Sequence, residues 1–321
     1  IELAKKMVLK AKECGASAVK FQRRNNKNLF TEHFYNSPYN SENSFAPTYG
    51  KHRDYLELKD EYYPILINYC KDLEIDFFAT PFEEQSLEYL ESVGTPFYKV
   101  ASGDIFNFKM LKIYSEIGKP LIISTGGCTL EDIKSATDFL ESNDFHKYTL
   151  LQCTASYPCD FEYMNLDFIN TLMELYPNKI IGLSDHNRGI ALPIYAYALG
   201  ARIVERHFTL DRSMKGTDHA FSLEPTGLSK MIRDLEAVRI SRGTGIKEIY
   251  DCELKPLEKM RKSIYLTRDL SEGSIIKEAD LSLKCPYVKD AFNGQDYYNI
   301  IGKKLTASKI KEEFLKPNDI C

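Results

Sequence analysis

With 321 residues, 43% hydrophobic and 27% charged, the chain has the composition of a globular protein and the length of one large domain plus a small one, or of two medium ones. Its 42 Lys and Arg against 46 Asp and Glu give no electrostatic case for nucleic acid, and no apolar run approaches the roughly 20 residues that cross a bilayer. No basic-plus-apolar signal peptide opens the chain, and eight cysteines without a Cys-x-x-Cys pair suit core packing in a reducing cytoplasm better than a disulfide framework.

Leu3, Ala4, Met7, Val8 and Ala11 recur at helical spacing and Gly15 supplies a stop, so the chain opens inside a helix. A short apolar run with polar residues at its end follows at 16–22, and the pattern returns at 76–82, 97–103, 121–126, 148–158, 180–186 and 202–209. Between these seven strands lie amphipathic helical stretches at 83–93, 130–140, 166–175 and 188–199, with another at 228–237 after the last. Such alternation means parallel strands with crossover helices. The polar residues Lys20, Gln22, Thr80, Lys99, Ser102, Ser124, Ser184, His186 and His207 fall at the carboxyl ends of the strands, where a (β/α)8 TIM barrel builds its site. The expectation is such an α/β barrel with its first strand missing and its N-terminus truncated. An open doubly wound sheet competes, but the Gly-rich turn it needs after an early strand is absent from ASAVKFQRRN.

Residues 23–55 are polar and turn-rich, expected as a long functional loop or, equally, as partly disordered. The barrel domain is expected over 1–241 and an aperiodic linker over 242–261. A small β-rich domain follows over 262–321, with short strands in SIYLTRDL, GSIIKEADLSLK and IIGKKLTA and a Pro-Asn turn near the end.

His186 and His207 end consecutive strands, and neighbouring strands are about 4.8 Å apart, so the two imidazoles either ligate one ion or cap their strands separately. A two-histidine site leaves positions for water, substrate or a carboxylate, which suits Mn2+ or another divalent ion (Mg2+, Co2+) acting as a Lewis acid on a carbonyl oxygen. Lys20 and Lys99, with the hydroxyls of Thr80, Ser102, Ser124 and Ser184, converge on one rim of a barrel and imply a phosphate- or carboxylate-bearing ligand, although each alone reads as a solvated charge or a strand cap. The stretch 205–225 is dense in ionisable groups; in it Asp218 is either a sugar-binding or proton-moving carboxylate or an Asx turn. Glu205 and Arg206 are assigned to the faces opposite His207, as barrel or helix-facing ion pairs. Tyr157 and Phe82 wall the site or belong to the core.

The motifs KFQ, FFATPF, YKVASGD, ISTGG, LLQCTASYP, IGLSDH and ERHFTLDRSMKGTDHAFSLEP, in this order, resemble those of the N-acetylneuraminate (sialic acid) synthases and their relatives. Residues 262–321, including IIGKKL, are similar to the C-terminal antifreeze-like (SAF, β-clip) domain of that family. The resemblance implies condensation of phosphoenolpyruvate with open-chain N-acetylmannosamine or a related N-acetylated hexose, with C–O cleavage releasing phosphate. It implies His186 and His207 as Mn2+ ligands, and Lys20, Thr80, Lys99, Ser102, Ser124 and Ser184 as phosphoenolpyruvate-binding residues. Gln22, Phe82, Tyr157 and Asp218 fall on the sugar side, with Gln22, Tyr157 and Asp218 in catalytic positions. It further implies a cytoplasmic homodimer in which each small domain caps the other barrel.

Three departures accompany the resemblance. The family's first strand, with its Glu and NHxG turn, lies upstream of Ile1; Ala155 stands where many bacterial members carry Asn; and Lys284, Cys285 and Pro286 occupy the place of an Arg-Pro-Gly. The acceptor therefore stays open between N-acetylmannosamine, its 6-phosphate and a diacetamido-trideoxyhexose. A metal-dependent aldolase or epimerase, and a sugar-binding relative without turnover, are the competing functions.

Overall fold

A computed structural model describes all 321 residues. The chain divides into two units, Ile1–Arg242 and Gly243–Cys321. In the first, β1 (Ala18–Arg23), β2 (Asp76–Pro81), β3 (Tyr98–Val100), β4 (Leu121–Ser124), β5 (Tyr148–Cys153), β6 (Ile181–Asp185) and β7 (Ile203–Arg206) form one parallel sheet in sequence order. Its two edge strands meet through their side chains, Lys20 Nζ of β1 standing 3.3 Å from Glu205 Oε1 of β7, so the sheet curls into a barrel-like wall.

Helices cover the outside of this wall. The helix Leu130–Ser142 shows why they form: the Thr129 hydroxyl accepts from the Asp132 N–H at 3.2 Å and the Asp132 carboxylate accepts from the Thr129 N–H at 2.8 Å, a capping box. Behind it Ile133, Ala136 and Leu140 repeat at helical spacing and are buried. With Leu66, Leu87, Leu90, Leu111, Ile169 and Leu172 from the other helices they pack on strand residues such as Ile123, Leu150 and Leu183. Each such side chain is worth about 1.5–3 kcal/mol of burial.

The strands are shorter than their sequence patterns. β5 stops at Cys153 where the pattern runs to 158, and His186 and His207 each lie one residue past the last ladder residue. The polar carboxyl ends leave the ladder to build loops, and a ladder can be ended by loop geometry without any change in polarity. Helices Tyr62–Asp72 and Phe108–Ile117 complete the crossovers, burying Tyr63, Leu66 and Cys70 in one case and Met110, Leu111 and Tyr114 in the other.

The segment 23–55, expected as a long functional loop or, equally, as partly disordered, carries three short helices, Asn26–Leu29, Glu32–Tyr35 and Tyr49–Leu56. Its order comes from rings drawn from distant positions: Phe30, Phe34 and Tyr39 pack on Tyr49, and Phe45 stacks on Tyr55 at 4.6 Å.

In the second unit, the stretch read as an aperiodic linker contains the helix Asp251–Met260, started by Glu253 accepting from the Tyr250 N–H at 2.9 Å. Strands β8 (Ser263–Leu266) and β9 (Leu281–Lys284) pair antiparallel, while IIGKKLTA contributes isolated bridges rather than a strand. Ile264, Leu266, Ile276, Ile300, Leu305 and Leu315 make a separate small core.

Candidate active site

Two clusters stand at the carboxyl end of the sheet. The first is built on strand register: Cys153 of β5, Ser184 of β6 and Glu205 of β7 are register partners across three adjacent strands. Glu205 organises it. Its Oε1 lies 3.3 Å from Lys20 Nζ and 3.7 Å from Lys99 Nζ, and accepts from the Ser184 hydroxyl at 3.1 Å. Lys99, 2% exposed, also donates to Ser124 Oγ and, at 3.3 Å, to the Val100 carbonyl.

Burial works against the charge on Lys99 and outweighs the opposing pull of Glu205, bringing its pKa down to about 8. Burial would raise Glu205, but the two ammonium groups prevail and hold it down at about 2. The interior therefore carries two cations against one carboxylate. Two polar atoms there, Thr80 Oγ1 and Glu205 Oε2, are buried with no partner, an arrangement that native interiors rarely leave without a ligand or water.

Ser102 joins this cluster through the backbone, its Oγ accepting from the Gly126 N–H at 3.0 Å. A Cβ on Gly126 would come within 2.9 Å of Ser102 Oγ and 3.0 Å of Ala155 N, so only glycine lets the β4 and β5 loops approach this closely. Gly126→Ala is expected to destabilise the fold by about 1–3 kcal/mol, the usual cost of overpacking. Thermal unfolding measures it, and an unchanged midpoint would count against this packing.

The second cluster comes from the loops after β6 and β7. The rings of His186 and His207 have centroids 5.3 Å apart at 77°, and Tyr157 covers His186 at 4.2 Å. His186 Nδ1 lies 2.9 Å from the Thr154 carbonyl, which can only accept, so Nδ1 carries the proton and Nε2 keeps a free lone pair. His207 Nδ1 lies 3.5 Å from Asp218 Oδ2. Burial pushes both histidines down, which keeps the imidazoles neutral, the form that ligates a metal. No set of three His, Cys, Asp or Glu forms here; the neutral imidazoles of His186 and His207 are the two groups that could hold an ion between them.

Outside this cluster, Arg206 fixes the His186 loop. It pairs with buried Asp185, and donates to the carbonyls of Asn187 at 2.6 Å and Gly189 at 2.8 Å.

Of the residues singled out from sequence, Lys20, Lys99, Ser124 and Ser184 meet around Glu205, while Tyr157, His186, His207 and Asp218 meet around the histidine pair. Gln22 and Phe82 form a third group with Arg24, whose guanidinium donates to Gln22 Oε1 at 2.6 Å and stacks on the Phe82 ring at 3.7 Å. The assignment of Glu205 away from His207 is corrected: two residues apart in an extended run, both turn to the interior, and only Arg206 turns outward. Cys153, whose Sγ is 3.6 Å from Ser102 Oγ, and Arg24 are the other members that sequence reasoning passed over. The same period of two singles out Cys153 and Glu205.

The NeuB family matches residues 7–247 of the chain. The chain is 35% identical over 305 residues to human N-acetylneuraminate-9-phosphate synthase, covering 95% of this chain and 84% of that protein. It is 33% identical over 324 residues to N,N'-diacetyllegionaminic acid synthase of Campylobacter jejuni, covering 98% and 95%. Among solved structures, N-acetylneuraminic acid (sialic acid) synthetase from Leptospira borgpetersenii, in complex with citrate, superposes with a TM-score of 0.68 at 31% identity, covering 80% of this chain and 85% of that one. With a family match across most of the first unit and relatives of this identity along nearly the whole chain, the protein belongs to the NeuB family.

Proposed function

We propose that this chain condenses phosphoenolpyruvate with a six-carbon N-acetylated sugar, giving a sialic-acid-type nine-carbon 2-keto acid and phosphate. The observation that carries the reading is the adjacency of two complementary groups: buried Lys99 and half-buried Lys20 sharing one carboxylate, short of one negative charge, and a neutral histidine pair with a free Nε2. The names of the relatives, synthases of sialic and legionaminic acids, support the same product class.

In this reading Lys20 and Lys99 hold the anionic phosphoenolpyruvate, with the hydroxyls of Thr80, Ser102, Ser124 and Ser184 as neutral partners. Its C3 forms the new bond to the sugar's aldehyde carbon, water adds at C2, and phosphate leaves with its bridging oxygen. His186 and His207 would hold a divalent cation such as Mn2+, which when bound supplies Lewis-acid polarisation of the aldehyde oxygen. Asp218, beside His207, holds a sugar hydroxyl and moves the proton that the aldehyde oxygen gains. Tyr157, Phe82 and Gln22 line the sugar side and keep water off the aldehyde face. The second unit is read as the antifreeze-like domain, on the strength of its short antiparallel pair and bridged turns.

The test is phosphate release from phosphoenolpyruvate with Mn2+ and a panel of N-acetylated hexoses. Release that depends on the sugar supports the synthase. Cleavage or epimerisation of a sugar without phosphoenolpyruvate would favour an aldolase or epimerase instead, and binding without turnover a degenerate relative.

The lysine cluster also sets a pH dependence. Lys99 must be protonated to hold an anion, and its pKa lies near 8. Affinity for phosphoenolpyruvate is therefore expected to be full below that value and to fall as pH rises through it. The KM for phosphoenolpyruvate measured between pH 6.5 and 9.5 checks this, and a flat profile would contradict the assignment of Lys99.

A further inference from the structure

Directly before the two histidines an ion pair closes the ladder between β6 and β7. Asp185 and Arg206 are the last register partners of these strands, and His186 and His207 follow them. By alternation the pair turns outward, while Ser184 and Glu205 before it and the histidines after it turn inward. Beyond the pair the two chains part. The His186 carbonyl accepts from the Cys159 N–H at 3.1 Å, and the His207 carbonyl from the Leu223 N–H at 2.9 Å, so each is tied to a different loop.

One side chain spans the gap. Arg206 reaches from β7 to the turn after β6 and meets it three times, at the Asp185 carboxylate, the Asn187 carbonyl at 2.6 Å and the Gly189 carbonyl at 2.8 Å. Asp185 also accepts from the Asn187 N–H at 2.7 Å, and the Asn187 side-chain amide donates to the Cys159 carbonyl at 2.8 Å. The turn that aims His186 is thus pinned on both sides of the ring. The Arg206 and Asp185 side chains are 3% and 0% exposed, and Arg206 Nε and Asn187 Oδ1 are buried with no partner. Taking two charges out of water costs about as much as their attraction returns, and apolar replacements of such pairs are often no less stable. Stability is therefore a weak reason for this pair, whereas a planar fork that fixes one strand end against its neighbour supplies geometry.

We propose, on the reading of His186 and His207 as ion ligands given above, that Asp185 and Arg206 are the positioning residues of the histidine pair. They hold the ends of β6 and β7 in register, so that both imidazoles face one divalent cation. Both turn away from the site and act only through the two rings.

The experiment measures Mn2+ affinity of the folded, substrate-free protein by titration calorimetry, beside its thermal midpoint, in the wild type, Arg206→Lys, the double variant Asp185→Asn, Arg206→Met, and His186→Ala. Arg206→Lys keeps a charge beside Asp185 but not the fork to two carbonyls, and should bind Mn2+ about 10-fold more weakly. The double variant removes both charges together and keeps an acceptor for the Asn187 N–H. Its midpoint should fall by no more than about 8 °C. Its Mn2+ affinity should nevertheless drop roughly 10- to 100-fold. Sugar-dependent phosphate release should fall with Mn2+ affinity in both variants and recover in part at high Mn2+. The KM for phosphoenolpyruvate, set by Lys20, Lys99 and Glu205, should change by less than about twofold.

Wild-type Mn2+ affinity in the two Arg206 variants, with the ion lost in His186→Ala, would overturn this proposal and leave the histidine pair standing as the ion site. Affinity lost in Arg206→Lys but regained in the double variant would also overturn it, since the pair would then serve stability alone. No Mn2+ binding by the wild type, or binding that His186→Ala leaves unchanged, would overturn both readings together.

Discussion

Replacing His186 with alanine is expected to lower sugar-dependent phosphate release by at least about 10³-fold, because Lewis-acid assistance at a carbonyl is worth several kcal/mol. The expectation follows from how the ring is held. The Thr154 carbonyl fixes Nδ1 as the donor and Tyr157 packs over the ring, so Nε2 can turn in only a narrow range of directions toward the His207 side. The substitution leaves Lys20, Lys99 and Glu205 untouched, so the KM for phosphoenolpyruvate should change by less than about threefold. It removes one hydrogen bond from the half-buried Thr154 carbonyl, which still accepts from the Ser156 N–H at 2.9 Å, so the cost is about 0.5–1.5 kcal/mol and the fold should survive it. Mn2+ affinity, measured by titration calorimetry or by the spin signal of the free ion, should fall in parallel. Retained turnover, or turnover lost with Mn2+ affinity intact, would refute the metal role of His186.

The barrel-like sheet was legible because each strand couples an apolar stretch to a polar carboxyl end, and a helical period fills most gaps. What sequence could not carry was contact across distance. The segment 23–55 has no period longer than two turns, and its order depends on rings such as Phe30 and Tyr49 that meet only after folding. Arg24 reads as one more surface cation, since its partner Glu57 lies 33 residues on. The two histidines and two lysines were visible from their strand ends, but the carboxylate that joins the lysines was assigned to the wrong face. Treating Glu205 as a neighbour of His207 in the alternation hides it, whereas a separation of two puts both on the interior. The strand ends were overrun for a related reason: polarity persists through His186, while the hydrogen-bonded ladder ends at Asp185.

Glu205 then carries the second large expectation. Glu205→Gln keeps the shape and an acceptor for Ser184 but removes the only negative charge touching Lys20 and Lys99. Breaking a buried ion pair by removing one partner costs about 3–5 kcal/mol, and urea unfolding of the ligand-free protein should show a loss of that order. A second effect has the opposite sign. Without Glu205 an incoming anion meets two uncompensated cations, so at pH 6 phosphoenolpyruvate should protect the variant against thermal unfolding more than it protects the wild type. Glu205 raises the pKa of Lys99, so its loss should bring that value below about 8 and move the fall in phosphoenolpyruvate affinity to lower pH. The two trends cross: the variant binds at least as well as the wild type in acid and worse near pH 8. A purely structural carboxylate would lower stability without moving the pH midpoint, and an unmoved midpoint would remove Glu205 from the anion site. A moved midpoint, with stability restored by phosphoenolpyruvate, would identify Glu205 as the residue that keeps buried Lys99 charged until the substrate takes its place as counter-ion.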